Sequence, residues 1–167
     1  MIQFSPLEPR EDDLHIEDIA HSLSMQCRFN GHTNSFYSVA EHCCHVSDWL
    51  PKPLKLAGLL HDASEAYLCD LPKPLKCLDA LAGYRQAESR LESLIANRFG
   101  FDYPLDDRIK EADERLLATE ARQLMAPLHP EFEIGESVKG LKLPCWSPMQ
   151  AKDAFLWRYY NLKGISE

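Results

Sequence analysis

The segment LAGLLHDASEAYLCDLP, residues 56–72, places a histidine and three acids in a run otherwise rich in leucine and alanine. The spacing predicts a helix over residues 53–67, and His61, Asp62 and Glu65 then share an arc of about 100°. The other side of that helix is apolar, so we expect the polar arc to face a cleft. Unpaired charges there would be costly, and a bound metal or tight ion pairing is the expected compensation.

Two more predicted helices carry polar residues at apolar positions. Asp113 lies in the middle of the apolar stripe of a helix predicted over residues 105–125, where a metal ligand and a partner for an arginine are equally good interpretations. Glu120 lies further along the same stripe and is interpreted as an ion-pair partner. On a helix predicted over residues 38–50, His42 lies about 60° from the centre of the stripe, at the edge of the core.

A lone histidine in such a place is more often a core residue than a ligand. Four such residues together, two histidines and two aspartates, are harder to explain without a metal than one alone. They offer nitrogen and oxygen donors and no thiolate. Such a set suits Zn, Mn, Co, Fe or Ni. Its members are His42, His61, Asp62 and Asp113.

The elements that must position these residues are all predicted to be helices. Besides the three above, helical spacing covers residues 16–24 and 80–99, and Ser147-Pro148 begins a last helix that ends near Gly164. DLPKPLK is predicted to be extended, and residues 127–146 a loop with at most a short hairpin. Without strong strand alternation, we predict an all-α fold forming one domain over residues 1–167.

Charge and composition argue against several classes of function. The formal charge of the 167-residue chain is −8, which disfavours binding to a nucleic-acid backbone. The sequence has no targeting segment and no run long enough to span a membrane, so we expect a cytoplasmic protein. The six cysteines form no C-x-x-C pair, and free thiols are the expected state.

The candidate ligands resemble the H…HD…D signature of the HD-domain metal-dependent phosphohydrolases. The run HDASEAYLCDLPKPLK, residues 61–76, is similar to the HD-x-x-E-x-x-x-x-D-x-P-x-P-x-K run of the bacterial 5′-deoxynucleotidases and the DatZ-like dATP triphosphohydrolases. The segment before His42 resembles the DatZ-like group in particular. The resemblance spans residues 16–125 and implies an HD-domain helical bundle.

This resemblance implies roles for the polar residues. The four candidate ligands would hold a divalent transition metal, namely Zn, Co or Mn, with Mg as a candidate second ion. Of the two catalytic candidates, Glu65 would handle the proton of the attacking water and Asp70 would contact the ribose 3′-hydroxyl or the water. Both have structural alternatives, since Glu65 could be a surface acid and Asp70 an ordinary turn former.

Substrate-binding candidates come from the two loops that flank the ligands. Arg28-Phe29 stands where the deoxynucleotidases have an Arg-Trp pair, and Phe29 keeps a stacking face. His32, Lys73 and Lys76 are further candidate phosphate donors, although solvated surface positions are an equally good interpretation of both lysines. Two further aromatic residues, Phe36 and Tyr37, could line a base pocket or pack in the core.

The function that the resemblance implies first is hydrolysis of a deoxynucleoside triphosphate, dATP above all, by water attack at the α-phosphorus with release of triphosphate. The alternative enzyme is a 5′-deoxynucleotidase that releases phosphate from deoxynucleoside monophosphates, and the alternative outside enzymes is an inactive metal-bearing helical binding module. The expected partners are a deoxynucleotide and further copies of the chain, in a dimer or a hexamer. The expected location is the cytoplasm of a bacterium or of a phage-infected bacterial host.

Overall fold

Eight α-helices and no β-strand make up the part of the chain that the computed structural model describes, residues 4–125 and 134–165. This confirms the all-α fold. The helices are α1 (Ile16–Met25), α2 (Val39–Trp49), α3 (Lys55–Leu59), α4 (Glu65–Leu68), α5 (Lys73–Lys76), α6 (Ala82–Phe99), α7 (Asp107–Leu124) and α8 (Pro148–Lys163).

Helix α2 is central, since it packs against α1, α3, α7 and α8. One apolar cluster joins α2 to α1, α6 and α8, with Leu23, Cys43 and Phe155 among its buried side chains. A second cluster joins another part of α2 to α3 and α7 through Val46 and Leu116. Because α2 is enclosed on several sides, a polar side chain on it must find its partners inside the protein.

Several predicted helix ends are confirmed. The Ser38 hydroxyl accepts a hydrogen bond from the Glu41 backbone N–H at 3.1 Å and begins α2. Gly100, with φ 76°, ends α6 in the left-handed conformation that favours glycine. Ser147 caps α8 and Gly164 follows its last residue. These ends depend on local sequence, which explains why they were predictable.

The continuous helix predicted over residues 53–67 is wrong. A turn separates α3 from α4, and it contains His61 and Asp62. His61 Nδ1 lies 2.9 Å from the Gly58 carbonyl oxygen, the acceptor that an uninterrupted helix would offer to the Asp62 N–H. The backbone of Asp62 instead lies near the Cys43 thiol, where it opposes the rise in the pKa of that thiol that burial causes. The His61 side chain therefore takes the place of a backbone donor of the predicted helix at this point.

Other expectations also change. Residues 73–76, predicted to be extended, form the short helix α5, because a proline inside the first turn of a helix loses no hydrogen bond. Residues 134–146 contain no hairpin, while residues 127–133 of that predicted loop lie outside the described residues. All six cysteines are unpaired, as expected. Among the described helices, none is long and apolar enough to cross a membrane. The single domain stays a prediction.

Candidate metal centre

His42 lies near the start of α2 and is fully buried. Its Nδ1 faces Glu120 Oε1 on α7 at 2.6 Å. Because the carboxylate can only accept a hydrogen bond, this contact assigns the ring proton to Nδ1. The lone pair of Nε2 then points away from α7's Glu120 and towards two other carboxylates, Asp113 Oδ1 at 3.0 Å and Asp62 Oδ2 at 3.7 Å.

The turn between α3 and α4 supplies the next two polar groups. The bond from His61 Nδ1 to the Gly58 carbonyl leaves His61 Nε2 free, and this nitrogen lies 3.2 Å from Asp62 Oδ2. The imidazole rings of His42 and His61 have centroids 5.3 Å apart. The structure therefore brings His42, His61, Asp62 and Asp113 together from α2, the turn and α7.

The donor set fits a metal ion. Nε2 of His42 and Nε2 of His61 are buried and make no hydrogen bond with the described residues, a rare state for buried nitrogens unless a ligand completes it. One donor atom from each of His42, His61 and Asp113 lies within 4.8 Å of the others. Ligands of one ion, each about 2.1 Å from it, are separated by about 3–4 Å, so small side-chain shifts suffice.

The electrostatics of the cluster favour a cation. Burial by itself would lower the pKa of His61, but the neighbouring Asp62 carboxylate raises it to about 9. Burial would raise the pKa of Asp113, yet its contact with His42 holds that pKa at about 2. The carboxylates thus remain negatively charged and favour a positive charge between them and the imidazoles. In the protein without metal, protons on the imidazoles provide this charge, and a bound metal ion would provide it instead.

Glu120 joins three elements beneath the cluster. Its carboxylate is fully buried and lies 3.0 Å from Arg28 Nε, 2.9 Å from the Tyr37 hydroxyl and 2.6 Å from His42 Nδ1. Burial would raise its pKa, but the charge of Arg28 and the contact with His42 lower it to about 2. The predicted ion pair of Glu120 is confirmed. Its bond to His42, which orients the imidazole of a candidate metal ligand, was not predicted.

Glu65 begins α4 and is 6% exposed, so the surface interpretation of this acid is wrong. Lys76 Nζ on α5 lies 3.3 Å from Glu65 Oε1 and 2.8 Å from Glu88 Oε1. Oε2 of Glu65 is buried and makes no hydrogen bond with the described residues. Burial, helped by the nearby Asp62, raises the pKa of Glu65 to about 8, against the opposing charge of Lys76.

Asp70 follows α4 in the loop that leads to α5. Its negative charge raises the pKa of Glu65, so the two carboxylates lie close enough to interact. Gln26, at the end of α1, holds this segment in place, because its side chain donates to the Glu65 carbonyl at 3.0 Å and accepts from the Asp70 N–H at 3.3 Å. The sequence did not indicate this role of Gln26, because Gln26 is not part of any recognisable motif.

The remaining substrate-binding candidates differ in their environments. Arg28 is 8% exposed, and its NH1 lies 3.7 Å from Asp62 Oδ2. Phe29 lies beneath the Arg28 guanidinium, 5.6 Å from it, with a left-handed φ of 53°. His32 is exposed at the surface. Lys73 is 78% exposed, with Glu114 Oε1 3.9 Å away. Arg28 therefore reaches the candidate metal ligands through Asp62, while the exposed His32 and Lys73 form no hydrogen bond or ion pair with them in the described part of the chain.

The structure decides between the two interpretations of Tyr37 and shows a contact of Cys43 that was not predicted. Tyr37 is fully buried with its hydroxyl on Glu120, so it belongs to the core and not to a base pocket. Cys43, a buried residue of α2, has its sulfur within 4.8 Å of donor atoms of both His61 and Asp62. No sequence signal could find this contact, because it depends on the turn that replaces the predicted helix.

The sequence of the whole chain is similar to those of several known proteins. No protein-family model matches the chain. It is 33% identical to the uncharacterised protein RCAP_rcc00048 of Rhodobacter capsulatus, over 93% of this chain and 89% of that protein. It is 43% identical to the uncharacterised protein YfdR of Escherichia coli K12, over 68% of this chain and 63% of YfdR.

A third similar protein has a name that states an activity. The chain is 29% identical to 5′-deoxynucleotidase PBPRA2627 of Photobacterium profundum, over 71% of this chain and 58% of that protein. The chain thus spans less than two thirds of the length of YfdR and of the deoxynucleotidase. This distant similarity supports an HD-type phosphohydrolase as the broad class of protein.

Proposed function

Because the chain belongs to the same family as RCAP_rcc00048 of Rhodobacter capsulatus and is distantly similar to a 5′-deoxynucleotidase, we propose that it is a metal-dependent phosphohydrolase acting on deoxynucleotides. The observation that carries the proposal is the pair of buried imidazole nitrogens, on His42 and His61, that face carboxylates without a hydrogen bond. A buried acid and a buried arginine lie beside them.

The ligands in this proposal are His42, His61, Asp62 and Asp113. When bound, a divalent metal such as Zn, Co or Mn would supply a Lewis acid that lowers the pKa of a water molecule and offsets the charge of a phosphate. Glu120 keeps the proton of His42 on Nδ1, so that Nε2 offers its lone pair.

Glu65 is the proposed proton acceptor for the attacking water. Its Oε2 is free of hydrogen bonds from the described residues, while Oε1 contacts Lys76. A pKa of about 8 lies near neutrality, where a carboxylate can take up a proton and release it again. The water oxygen forms a bond to the α-phosphorus, the bond from phosphorus to the 5′-oxygen breaks, and the departing oxygen takes up a proton.

Arg28 is the proposed phosphate ligand. Glu120 and the ring of Phe29 restrain its guanidinium, so part of the entropic cost of ordering this side chain is met before substrate binds. Asp70, beside Glu65, is the proposed contact of the deoxyribose 3′-hydroxyl, as the family resemblance implies. These two residues would hold the phosphate and the sugar on either side of the bond that breaks.

A deoxynucleoside monophosphate is the substrate that the site supports best. The cations nearest the cluster are already paired, Arg28 with Glu120 and Lys76 with Glu65 and Glu88. They leave little free positive charge for two additional phosphates. The name of the Photobacterium relative points in the same direction.

Triphosphate cleavage is the second candidate, and one observation favours it. Lys73 lies on the short helix α5 with its ammonium group largely exposed, 3.9 Å from Glu114, and could turn towards a long phosphate chain. In this case the products would be deoxynucleoside and triphosphate, with dATP as the first substrate to examine.

A substrate panel tests the proposal. The purified protein is incubated with Mn²⁺, Co²⁺, Zn²⁺ or Mg²⁺ and with dNMPs, dNTPs and NTPs, and the products are separated. We expect orthophosphate and deoxynucleoside from dNMPs. Triphosphate from dNTPs would support the second candidate instead. Stoichiometric metal binding without hydrolysis of any nucleotide would contradict the enzyme proposal and support a metal-bearing binding module. Size-exclusion chromatography with light scattering tests the proposed homo-oligomer.

A further inference from the structure

Two groups of donor atoms in this site share one histidine. The first group consists of His42, His61 and Asp113, and the second of Cys43, His61 and Asp62. Within each group the donor atoms lie within 4.8 Å of one another. The second group differs in kind, because it contains a sulfur atom.

The surroundings of Cys43 hold its sulfur at the site. The side chain is fully buried on α2, directly after His42. Its sulfur lies within 4.8 Å of donor atoms of His61 and Asp62, which places Cys43 against the turn that carries both residues. Nε2 of His61, whose side chain is 7% exposed, makes no hydrogen bond with the described residues. A buried nitrogen without a partner, a carboxylate and a thiol therefore converge on one point.

We propose that this group is a second metal position, selective for thiophilic ions such as Cd²⁺ and Zn²⁺, with Cys43 Sγ, His61 Nε2 and an Asp62 carboxylate oxygen as its ligands. Thiolate, imidazole and carboxylate together suit soft and borderline ions and disfavour Mg²⁺ and Mn²⁺. As the sulfur binds the ion, the thiol releases its proton to the solvent.

The second position competes with the first. An ion held by Cys43 occupies His61 and Asp62, which the set containing His42 and Asp113 also needs. A thiophilic ion should therefore displace Mn²⁺ from the protein. This inference concerns metal binding alone and does not require the proposed reaction.

Ultraviolet absorption gives a direct test, because binding of sulfur to Cd²⁺ produces a charge-transfer band that oxygen and nitrogen ligands do not. Metal-stripped protein is titrated with Cd²⁺ in a background where the exposed Cys69 and Cys77 are serine. We expect the band to saturate at one equivalent. Cys43→Ser should abolish this band, whereas Cys44→Ser, at the neighbouring and equally buried cysteine, should keep it.

A second measurement separates loss of a ligand from loss of the fold. Mn²⁺ affinity should be the same within about twofold in the background protein and its Cys43→Ser variant, since the first group needs no sulfur. Cd²⁺ should weaken apparent Mn²⁺ binding at least tenfold more in the background protein than in Cys43→Ser, because the sulfur adds to the affinity for Cd²⁺ but not for Mn²⁺. A full charge-transfer band in Cys43→Ser, or equal Cd²⁺ competition in both proteins, would overturn the proposal. Loss of Mn²⁺ binding in Cys43→Ser would also overturn it, because the cysteine would then support the site as a whole.

Discussion

Replacing Glu120 by glutamine should weaken metal binding although Glu120 touches no metal. The amide has one oxygen where the carboxylate has two, so it can serve only one of two opposed donors. If its oxygen stays on Arg28 Nε, now 3.0 Å from the carboxylate, its NH₂ faces His42 Nδ1. Because NH₂ only donates, His42 would then carry its proton on Nε2, the atom that binds the metal in the proposed site.

The opposite orientation is also unfavourable. With the amide oxygen on His42, the NH₂ faces the Arg28 guanidinium and leaves a charge that is 8% exposed without its closest partner. Both orientations remove the negative charge beside Arg28, and removal of one partner from a buried ion pair costs about 3–5 kcal/mol. Only the first orientation still gives Arg28 Nε an acceptor. The protein should adopt the first orientation, and metal affinity should fall about 10–100-fold, as it does when an outer hydrogen bond to a ligating histidine is lost.

Isothermal titration calorimetry with Mn²⁺ measures this loss, and urea denaturation shows whether the variant is folded. Tyr37→Phe is the matched control, because it removes another hydrogen bond to Glu120, 2.9 Å long, without changing the proton on His42. It should cost about 1 kcal/mol of stability and keep the wild-type affinity. A folded Glu120→Gln variant with unchanged Mn²⁺ affinity would show that Glu120 does not control His42.

Three further predictions concern the candidate metal ligands, the pKa of Glu65 and the buried Glu41. Asp113→Asn should lose metal affinity, whereas Glu65→Gln should keep it and lose turnover; calorimetry and a hydrolysis assay separate the two, and equal metal loss in both would refute the assigned roles. Lys76→Gln should move the acidic limb of the pH–rate profile to higher pH, since the ammonium group lowers the pKa of Glu65, while Lys73→Gln, at a largely exposed lysine, should leave that limb in place. Glu41→Gln should destabilise the protein by about 1–3 kcal/mol, because this buried carboxylate accepts two backbone N–H groups of the segment before α8 at 2.9 and 2.7 Å; faster hydrogen exchange confined to that segment would reveal the loss, and unchanged exchange would contradict it.

Glu41 also illustrates how a local pattern can mislead. Ser38-Val-Ala-Glu41 predicts a capping box, and the serine half of it forms. The glutamate side chain does not return to the helix start, since it binds the backbone of residues 145 and 146. Local spacing described the backbone correctly here, while the partner of the side chain lies more than 100 residues away.

The turn at His61-Asp62 shows the same limit in the site. Leucine and alanine spacing predicted one helix across residues 53–67, and Ala57, Leu59, Leu60 and Ala63 of that stretch are indeed buried. The helix is interrupted at the point where the Gly58 carbonyl, the acceptor for the Asp62 N–H in a continuous helix, contacts the His61 side chain instead. The spacing of apolar residues does not show that a side chain will take the place of a backbone hydrogen-bond donor.

Residue chemistry alone determined which side chains are candidates for the site, because histidines and acids at apolar helix positions are costly without partners. It also determined the all-α fold and most helix ends, which depend on neighbours along the chain. Only the tertiary structure decided that Glu120 orients His42 and that Cys43 reaches His61. Both contacts join segments distant in sequence, and packing of the helices around α2 brings them within bonding distance.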